Sequence, residues 1–371
     1  MAHEVTAARV RQVIKESSLT QAQFAVKAGL DAPKMSKSLT GTRRFTSLEL
    51  AQIAELGSVT VDWLLGAERQ LPALAARAPG AASLEVMQVI DRARRLAQFR
   101  SDLAFLGYEQ NVPELPRLPE RRRLVDQGSY LANQALAYAR AKGIEPHEVR
   151  DIADAIEDAF EIDVAILDLP DHFDGLAWSD PEAKLIVVAA SEIPARQRFT
   201  LAHELEHILA GDDQALIIDE NIDDPERKKH PSEMKANSFA ASFLMPEDVI
   251  REAAAGGALT EESFAQLSVN LSVSPSSLAW RLHDLRIIDR RQHEIFRRIT
   301  MARAADLVGS VGDLAEWIAV SSRSRVPGRL VRGTLDAYTE GKATIRPFAN
   351  LIGADPSQIR LSIDEAGVPL P

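Results

Sequence analysis

Two histidines and a glutamate occur close together in the segment FTLAHELEHILA, where His203, Glu204 and His207 form an HExxH pattern. On a helix, residues four apart lie one above the other, so the two imidazoles can converge on one metal ion. Glu204 then faces a metal-bound water, whose pKa a zinc ion lowers and whose proton the carboxylate can accept. The pattern therefore indicates metal-dependent hydrolysis of a peptide bond.

A catalytic zinc ion needs a third protein ligand besides the two histidines. The segment downstream is predicted to be helical, and Glu233 near its start lies 26 residues after His207. Glu233 can therefore supply this ligand from a neighbouring helix. His230 is an alternative, although its lysine-rich loop is more typical of a solvated surface. Asp212 and Asp213 are predicted to end the HExxH helix rather than to bind metal.

The chain contains no cysteine. This excludes disulfides, a thiolate nucleophile, cysteine-ligated zinc and iron–sulfur clusters, so any metal must be held by His, Asp or Glu. Two His and one Glu suit zinc, and other divalent ions can occupy the same ligands. The expected cofactor is Zn2+, with Mn2+ or another divalent ion as the alternative.

The HExxH segment and the residues after it resemble the ImmA/IrrE family of metallopeptidases. The resemblance rests on RFTLAHELEHILA followed by the pattern E-x-x-A-N-x-F-A-A-x-x-L-M-P, and it covers roughly residues 128–290. It implies a zincin-like α+β fold and a repressor protein of phage-type or stress-response genes as substrate. It also implies metal ligands His203, His207 and Glu233, with Glu204 as the catalytic base.

Two features of the site do not follow from this resemblance. Glu206 stands where the family often has a small residue, and an acid beside the ligands can alter metal affinity or the access of water. The ligand set itself stays intact. In addition, no nearby tyrosine or other residue is identified as the oxyanion stabiliser.

The N-terminal part of the chain is predicted to form a series of short helices. Thr20 is a good N-cap and Gln23 stands at the capping-box position, so a helix is predicted to begin there and to end at Gly29. Pro33 suits the first turn of the next helix, which runs to Thr40–Gly41. Two short helices joined by a glycine-containing turn form a helix-turn-helix arrangement.

The stretch LTQAQFAVKAGLDAPKMSKSLTGTRRF, with the later AQIAELGSVTVDWLLG, resembles the phage-repressor-like helix-turn-helix domains of the XRE (Cro/cI) type. In such domains the second helix of the motif lies in the major groove. The resemblance implies a double-stranded DNA operator as partner and a homodimer. The residues implied to contact DNA are Gln21, Asp31, Lys34, Met35, Lys37, Ser38, Arg43 and Arg44.

The distribution of charge agrees with a basic N-terminal module. The net charge of the chain is −11, which by itself argues against binding to nucleic acid. Residues 1–50, however, carry eight Lys or Arg against four acids, a charge of +4, so the remaining 321 residues carry −15. Contact with DNA is therefore expected at one end of the chain, where charge and helix pattern agree.

The rest of the chain is predicted to be mainly helical with a small sheet. Ser47 is predicted to cap a fourth helix, and the proline-rich segment NVPELPRLPERRR is predicted to be irregular. The further predicted helices are 83–106, 128–141 and 146–160, and the predicted strands are 162–169, 175–177 and 185–190.

These elements predict an α+β protein that is predominantly helical. The expected division is a helix-turn-helix domain (1–68), a linker with one helix (69–126), a zincin-like metallopeptidase domain (127–292) and a helical C-terminal region of unknown role (293–371). No apolar run is long enough to cross a bilayer and the N-terminus lacks an apolar signal core, so a cytoplasmic protein without membrane contact is expected.

Taken together, the motifs predict a DNA-binding transcriptional regulator that carries a zinc-dependent endopeptidase domain. The expected substrate is a repressor-type protein that is cleaved in a stress or phage-related response. The alternative is a transcription factor whose metallopeptidase fold is a non-catalytic sensor or dimerisation module. The two hypotheses differ in whether Glu204 acts as a catalytic base.

Overall fold

A computed structural model describes residues 2–17, 19–57, 59, 61–65, 84–119, 121–170, 173–211, 216–219 and 231–365. The chain forms two compact units, Met1–Gly80 and Ala81–Pro371. Helices dominate both, and the described strands all lie in the second, so the expectation of a predominantly helical α+β protein is confirmed.

The first unit is a set of short helices around a small apolar core. Its helices are α1 (Ala2–Glu16), α2 (Gln21–Lys27), α3 (Ala32–Leu39), α4 (Ser47–Gly57) and α5 (Val61–Leu65). Thr20 and Gln23 form the predicted capping box at the start of α2. The start of α4 differs from prediction, because Ser47 is already helical: the hydroxyl of Thr46 accepts a hydrogen bond from the amide of Glu49 at 3.3 Å.

The second unit begins with a long helix that is fastened to the sheet by a buried ion pair. This helix is α6 (Leu84–Phe105), and its Arg100 lies 2.6 Å from Asp163 on the first strand. Both side chains are almost fully buried, so loss of either one would leave the other as an unpaired buried charge. The described part of the proline-rich segment that follows has no regular structure, as predicted, and residues 69–83 of the predicted linker lie outside the described residues.

Four strands of the described chain form one mixed sheet. They are β1 (Asp163–Leu167), β2 (Gly175–Ser179), β3 (Lys184–Ala189) and β4 (Leu216–Asp219), in the order β1-β3-β2-β4. β1 is parallel to β3, whereas β2 is antiparallel to both β3 and β4. The first three match the predicted strands, and β4 was missed because four residues are too short to show a pattern.

Four helices between residues 124 and 244 pack with the sheet around the main core, to which later helices also contribute. They are α7 (Leu124–Ala141), α8 (Ile152–Phe160), α9 (Pro194–Ala210) and α10 (Pro231–Leu244). α8 begins later than predicted, because Asp151 caps it while the residues before it form a loop. Burial of apolar side chains from these helices and strands supplies most of the stabilisation of this region.

Helices complete the second unit on the C-terminal side. They are α11 (Glu247–Ala254), α12 (Glu261–Asn270), α13 (Pro275–Asp284), α14 (Arg290–Phe296), α15 (Met301–Leu307), α16 (Val311–Ser321), α17 (Gly328–Thr339), α18 (Arg346–Ile352) and α19 (Pro356–Glu365). Between α16 and α17, Arg325 exchanges two backbone hydrogen bonds with Ile166 of β1, of 2.7 and 2.9 Å. None of the helices in the described residues is both long and apolar enough to cross a bilayer.

Candidate metal centre and recognition helix

The HExxH residues lie in the middle of α9, a helix with clear start and stop signals. Pro194 occupies its first turn, and Gly211 ends it in the left-handed conformation at φ 61°. All side chains from Thr200 to Ala210 are buried, since α9 packs between the sheet and other helices. This burial contradicts a solvated surface helix and fits a helix that carries an interior site.

Polar contacts fix the N-terminal half of α9. The guanidinium of Arg198 donates to the carbonyl oxygens of Pro146 at 2.7 Å and Arg150 at 3.1 Å, and burial lowers its pKa to about 10. Gln197 donates to the carbonyl oxygens of Ala189 at 2.8 Å and Ser321 at 2.9 Å. The helix is therefore held to the loop before α8, to β3 and to the end of α16.

Three potential metal ligands converge at the C-terminal half of α9. The Nε2 atoms of His203 and His207 are 3.3 Å apart. Oε2 of Glu233 lies 3.2 Å from Nε2 of His203, and its Oε1 lies 4.0 Å from Nε2 of His207. One atom from each side chain lies within 4.8 Å of the others, a group of three found once in the described chain.

This donor set fits a divalent ion such as zinc. Two imidazole nitrogens and one carboxylate are the three protein ligands typical of a catalytic zinc site that leaves one position open. Both histidines are buried, and the Glu233 side chain is 13% exposed. The alternative ligand His230 lies outside the described residues, as do Asp212 and Asp213, which were predicted to end the HExxH helix.

Glu233 is placed by a close contact between α10 and α7. A Cβ on Gly128 of α7 would lie 2.2 Å from the carbonyl oxygen of Lys235, so only glycine lets the two backbones approach this closely. Next to it, the Ser129 and Ser238 hydroxyls are 2.9 Å apart, and Ser238 donates to the Val125 carbonyl at 2.7 Å. The first turn of α10 is thereby brought to the histidines of α9.

Two further carboxylates belong to the same buried region. Glu204 is fully buried on α9, between the two histidines in sequence. Glu206 is also buried, and its Oε2 lies 3.6 Å from Nδ1 of His207, the ring nitrogen opposite the one that faces Glu233. The Glu206 carboxyl therefore lies behind His207, on the side of the ring that faces away from Glu233.

Comparison with known proteins agrees with this geometry. Residues 157–283 match the model of the IrrE N-terminal-like domain. The matched range runs from α8 to α13 and contains His203, Glu204, His207 and Glu233.

Two relatives share the name radiation response metalloprotease IrrE. The protein of Deinococcus radiodurans is 35% identical over 162 residues, which cover 41% of this chain and 48% of that protein. The protein of Deinococcus deserti is 35% identical over 104 residues, covering 28% of this chain and 37% of that protein. The chain thus spans less than half of either relative, and the likeness supports a metallopeptidase domain.

In the first unit, the residues of the expected recognition helix divide between surface and core. Asp31 caps α3 through the amide of Lys34, at 2.6 Å, and also pairs with the Lys34 side chain at 3.1 Å. Lys37 is exposed on the same helix, and Gln21 is exposed at the start of α2. Lys34 and Lys37 therefore form a basic, solvent-accessible face.

Two residues expected to contact DNA lie on the wrong side of α3. Met35 is fully buried in the core of the first unit, and Ser38 is buried as well. Positions 35, 38 and 39 share one helix face, which packs inwards. The structure therefore corrects the expectation: neither Met35 nor Ser38 is on the surface that a ligand can reach.

The two arginines after α3 have different environments. Arg43 donates to both carboxylate oxygens of Glu49, at 2.9 and 2.7 Å, and to the Ser38 hydroxyl at 3.1 Å. Arg43 thus closes the turn between α3 and α4. Arg44, next to it, is exposed. Of this pair, Arg44 is the one whose side chain lies at the surface.

Proposed function

We propose that this chain is a DNA-binding transcriptional regulator with a zinc-dependent endopeptidase domain, and that it cleaves a repressor-type protein in a stress or phage-related response. The observation that carries the peptidase part is the convergence of His203, His207 and Glu233 within 4.8 Å, with the buried Glu204 on the same helix. The proposal places the protein in the cytoplasm, as a homodimer on an operator.

The residues of the site have distinct tasks in the proposed reaction. His203, His207 and Glu233 hold the metal, which when bound supplies a Lewis acid that makes water a nucleophile near neutral pH. Glu204 takes the proton of the attacking water on its carboxylate and returns it to the leaving amine nitrogen. The water oxygen first adds to the carbonyl carbon, and the peptide C–N bond then breaks as the nitrogen takes up the proton from Glu204. Burial of Glu204 strengthens its interactions with the charges that develop in both steps.

Support for a regulatory role comes from two directions. The relatives that match the domain are described as radiation response metalloproteases. In addition, the first unit combines a capped helix pair with exposed lysines on its second helix, the arrangement by which helix-turn-helix proteins meet the DNA backbone. A helix-turn-helix repressor is the substrate class we propose.

The decisive experiment compares the wild type with Glu204→Gln, which keeps the shape of the side chain and removes the base. Each protein is loaded with zinc and incubated with helix-turn-helix repressors encoded beside its gene, and the products are identified by mass spectrometry. We expect the wild type to cut a repressor and the variant to be at least 100-fold slower, with equal zinc content. If both leave every repressor intact, the peptidase proposal fails and a non-catalytic sensor or dimerisation module takes its place.

A further inference from the structure

Glycine 175 opens strand β2 directly opposite the HExxH helix. An alanine Cβ built on Gly175 would lie 2.6 Å from Oε1 of Glu204, 3.2 Å from its Cδ and 3.0 Å from Cγ2 of Thr200. Ordinary contacts between non-bonded heavy atoms begin near about 3.5 Å. The absence of a side chain at Gly175 therefore leaves the space that the Glu204 carboxylate fills.

The backbone at Gly175 does not require glycine. Its φ angle is outside the left-handed region that L-residues avoid. Alanine would therefore be compatible with the strand itself. Of the two usual reasons for glycine, positive φ and close approach, only close approach applies here.

Neither side of this contact is free to move away. Within β2, Gly175 is paired with Val188 of β3 on one side and with Asp219 of β4 on the other. On the other side, α9 is held by Arg198 and Gln197 through the hydrogen bonds described above. A clash at Gly175 must therefore be relieved mainly by the Glu204 carboxylate, because Oε1 at 2.6 Å has to shift further than Cγ2 of Thr200 at 3.0 Å.

We propose that Gly175 is a positioning residue for the catalytic base: the gap at its missing side chain receives Oε1 of Glu204 and fixes the direction of the carboxylate. This inference rests on the proposed peptidase function. Gly175 does not contact the substrate bond and acts through Glu204. The position of a strand glycine thus determines where the proton-accepting oxygen lies.

The size of the expected effect follows from the distances. To restore an ordinary contact with an alanine Cβ, Oε1 must shift by roughly 0.9 Å, since contacts begin near about 3.5 Å and Oε1 stands at 2.6 Å. A misplacement of about 1 Å in a catalytic group can cost about 100-fold in rate. The three atoms nearest to the added Cβ belong to Glu204 and Thr200 and to none of the metal ligands, so metal binding should persist.

The first test measures zinc content, kcat and KM of Gly175→Ala on the repressor that the wild type cuts. We expect about one zinc ion per chain, an unchanged KM and a kcat lowered by 10- to 100-fold. Gly312→Ala is the matched control, because a Cβ at that position meets no atom within 4 Å, and it should behave as wild type. A Gly175→Ala protein with wild-type kcat, or one that loses its zinc, would overturn the proposal.

A second test needs no activity and separates this inference from the proposed function. The melting temperature is measured for wild type, Gly175→Ala, Glu204→Ala and the double variant. Glu204→Ala removes the carboxylate that the new methyl would strike, so Gly175→Ala should lower the melting temperature clearly in the wild type and less in the Glu204→Ala background. Equal losses in both backgrounds would refute the contact even if the enzyme is active. A wild type that cuts nothing would refute the peptidase, while this cycle would still decide the role of Gly175.

Discussion

The metal centre and the α3 surface depend on opposite kinds of environment. At the metal centre the chemistry rests on buried side chains, with Glu204 and both histidines enclosed by α9, α10 and the sheet. On α3 the expected contacts rest on exposed side chains, Lys34 and Lys37, above a small core. Burial fixes each group in one position, whereas exposure leaves long side chains adaptable.

This difference teaches where each region is sensitive to change. A buried metal ligand cannot be replaced by a neighbouring side chain. Its position is fixed by tight backbone contacts such as that between Gly128 and Lys235. Each exposed lysine is expected to contribute a small and similar amount to the affinity for DNA. We therefore expect all-or-none effects at the metal centre and graded effects on α3.

The largest effect is expected from His203→Ala. Removal of this ligand leaves one histidine and Glu233, which is too few for a stable zinc site, so the zinc content should fall from about one ion per chain to near zero and cleavage should stop. Elemental analysis of the purified protein checks this. DNA binding by the same variant should match wild type, and an unchanged zinc content would contradict the ligand assignment.

An intermediate effect is expected from the double variant Lys34→Ala and Lys37→Ala. If both lysines make the proposed phosphate contacts, their loss should weaken DNA binding at every sequence and reduce the slope of log K against log salt by about two. Fluorescence anisotropy at several salt concentrations measures this. Arg123→Ala in the second unit is a charge control that should leave the slope as it is. Binding and slope identical to wild type would move DNA recognition away from α3.

The smallest effect is expected at the Arg43–Glu49 pair. Hydrogen bonds from Arg43 hold the pKa of Glu49 below its ordinary value. The contribution of ionised Glu49 to stability is therefore fully present above the pKa that Glu49 has in the unfolded chain, and it is lost as the pH falls through the lower pKa of the folded protein. The Thr46 amide donates to Glu49 at 2.8 Å. Hydrogen exchange of that amide should be faster in Glu49→Gln than in wild type near neutral pH. The difference should vanish once the pH falls below the lowered pKa, and a difference independent of pH would exclude ionisation as its cause.

Local signals in the sequence were sufficient for much of the fold. The capping box of Thr20 and Gln23 predicts the start of α2, and Pro33 predicts the first turn of α3, because both act through bonds and φ angles within one turn. The i, i+4 spacing of the HExxH pattern likewise predicts that His203 and His207 meet. Such features need no knowledge of the rest of the chain.

Features that depend on distant contacts could not be predicted in the same way. α8 begins only after its cap Asp151, later than predicted, because carbonyl groups of the residues before it accept hydrogen bonds from the guanidinium of Arg198, which is remote in sequence. Burial of Met35 and Ser38, by contrast, could have been predicted from helical periodicity, since both residues share a helix face with Leu39. A lone glycine in a strand pattern is also a known sign of close backbone approach, and Gly175 fits it.

The pairing of Arg325 with Ile166 bears on how the chain can be divided. β1 is the outer strand of the sheet beyond β3, and residues near 325 cover its free side. A protein that ended at residue 292, the boundary the sequence predicts, would leave this strand open and the buried Glu157 without the guanidinium 2.8 Å away. Open strands pair readily between molecules. Such a fragment should therefore self-associate, because the segment around Arg325 no longer pairs with β1.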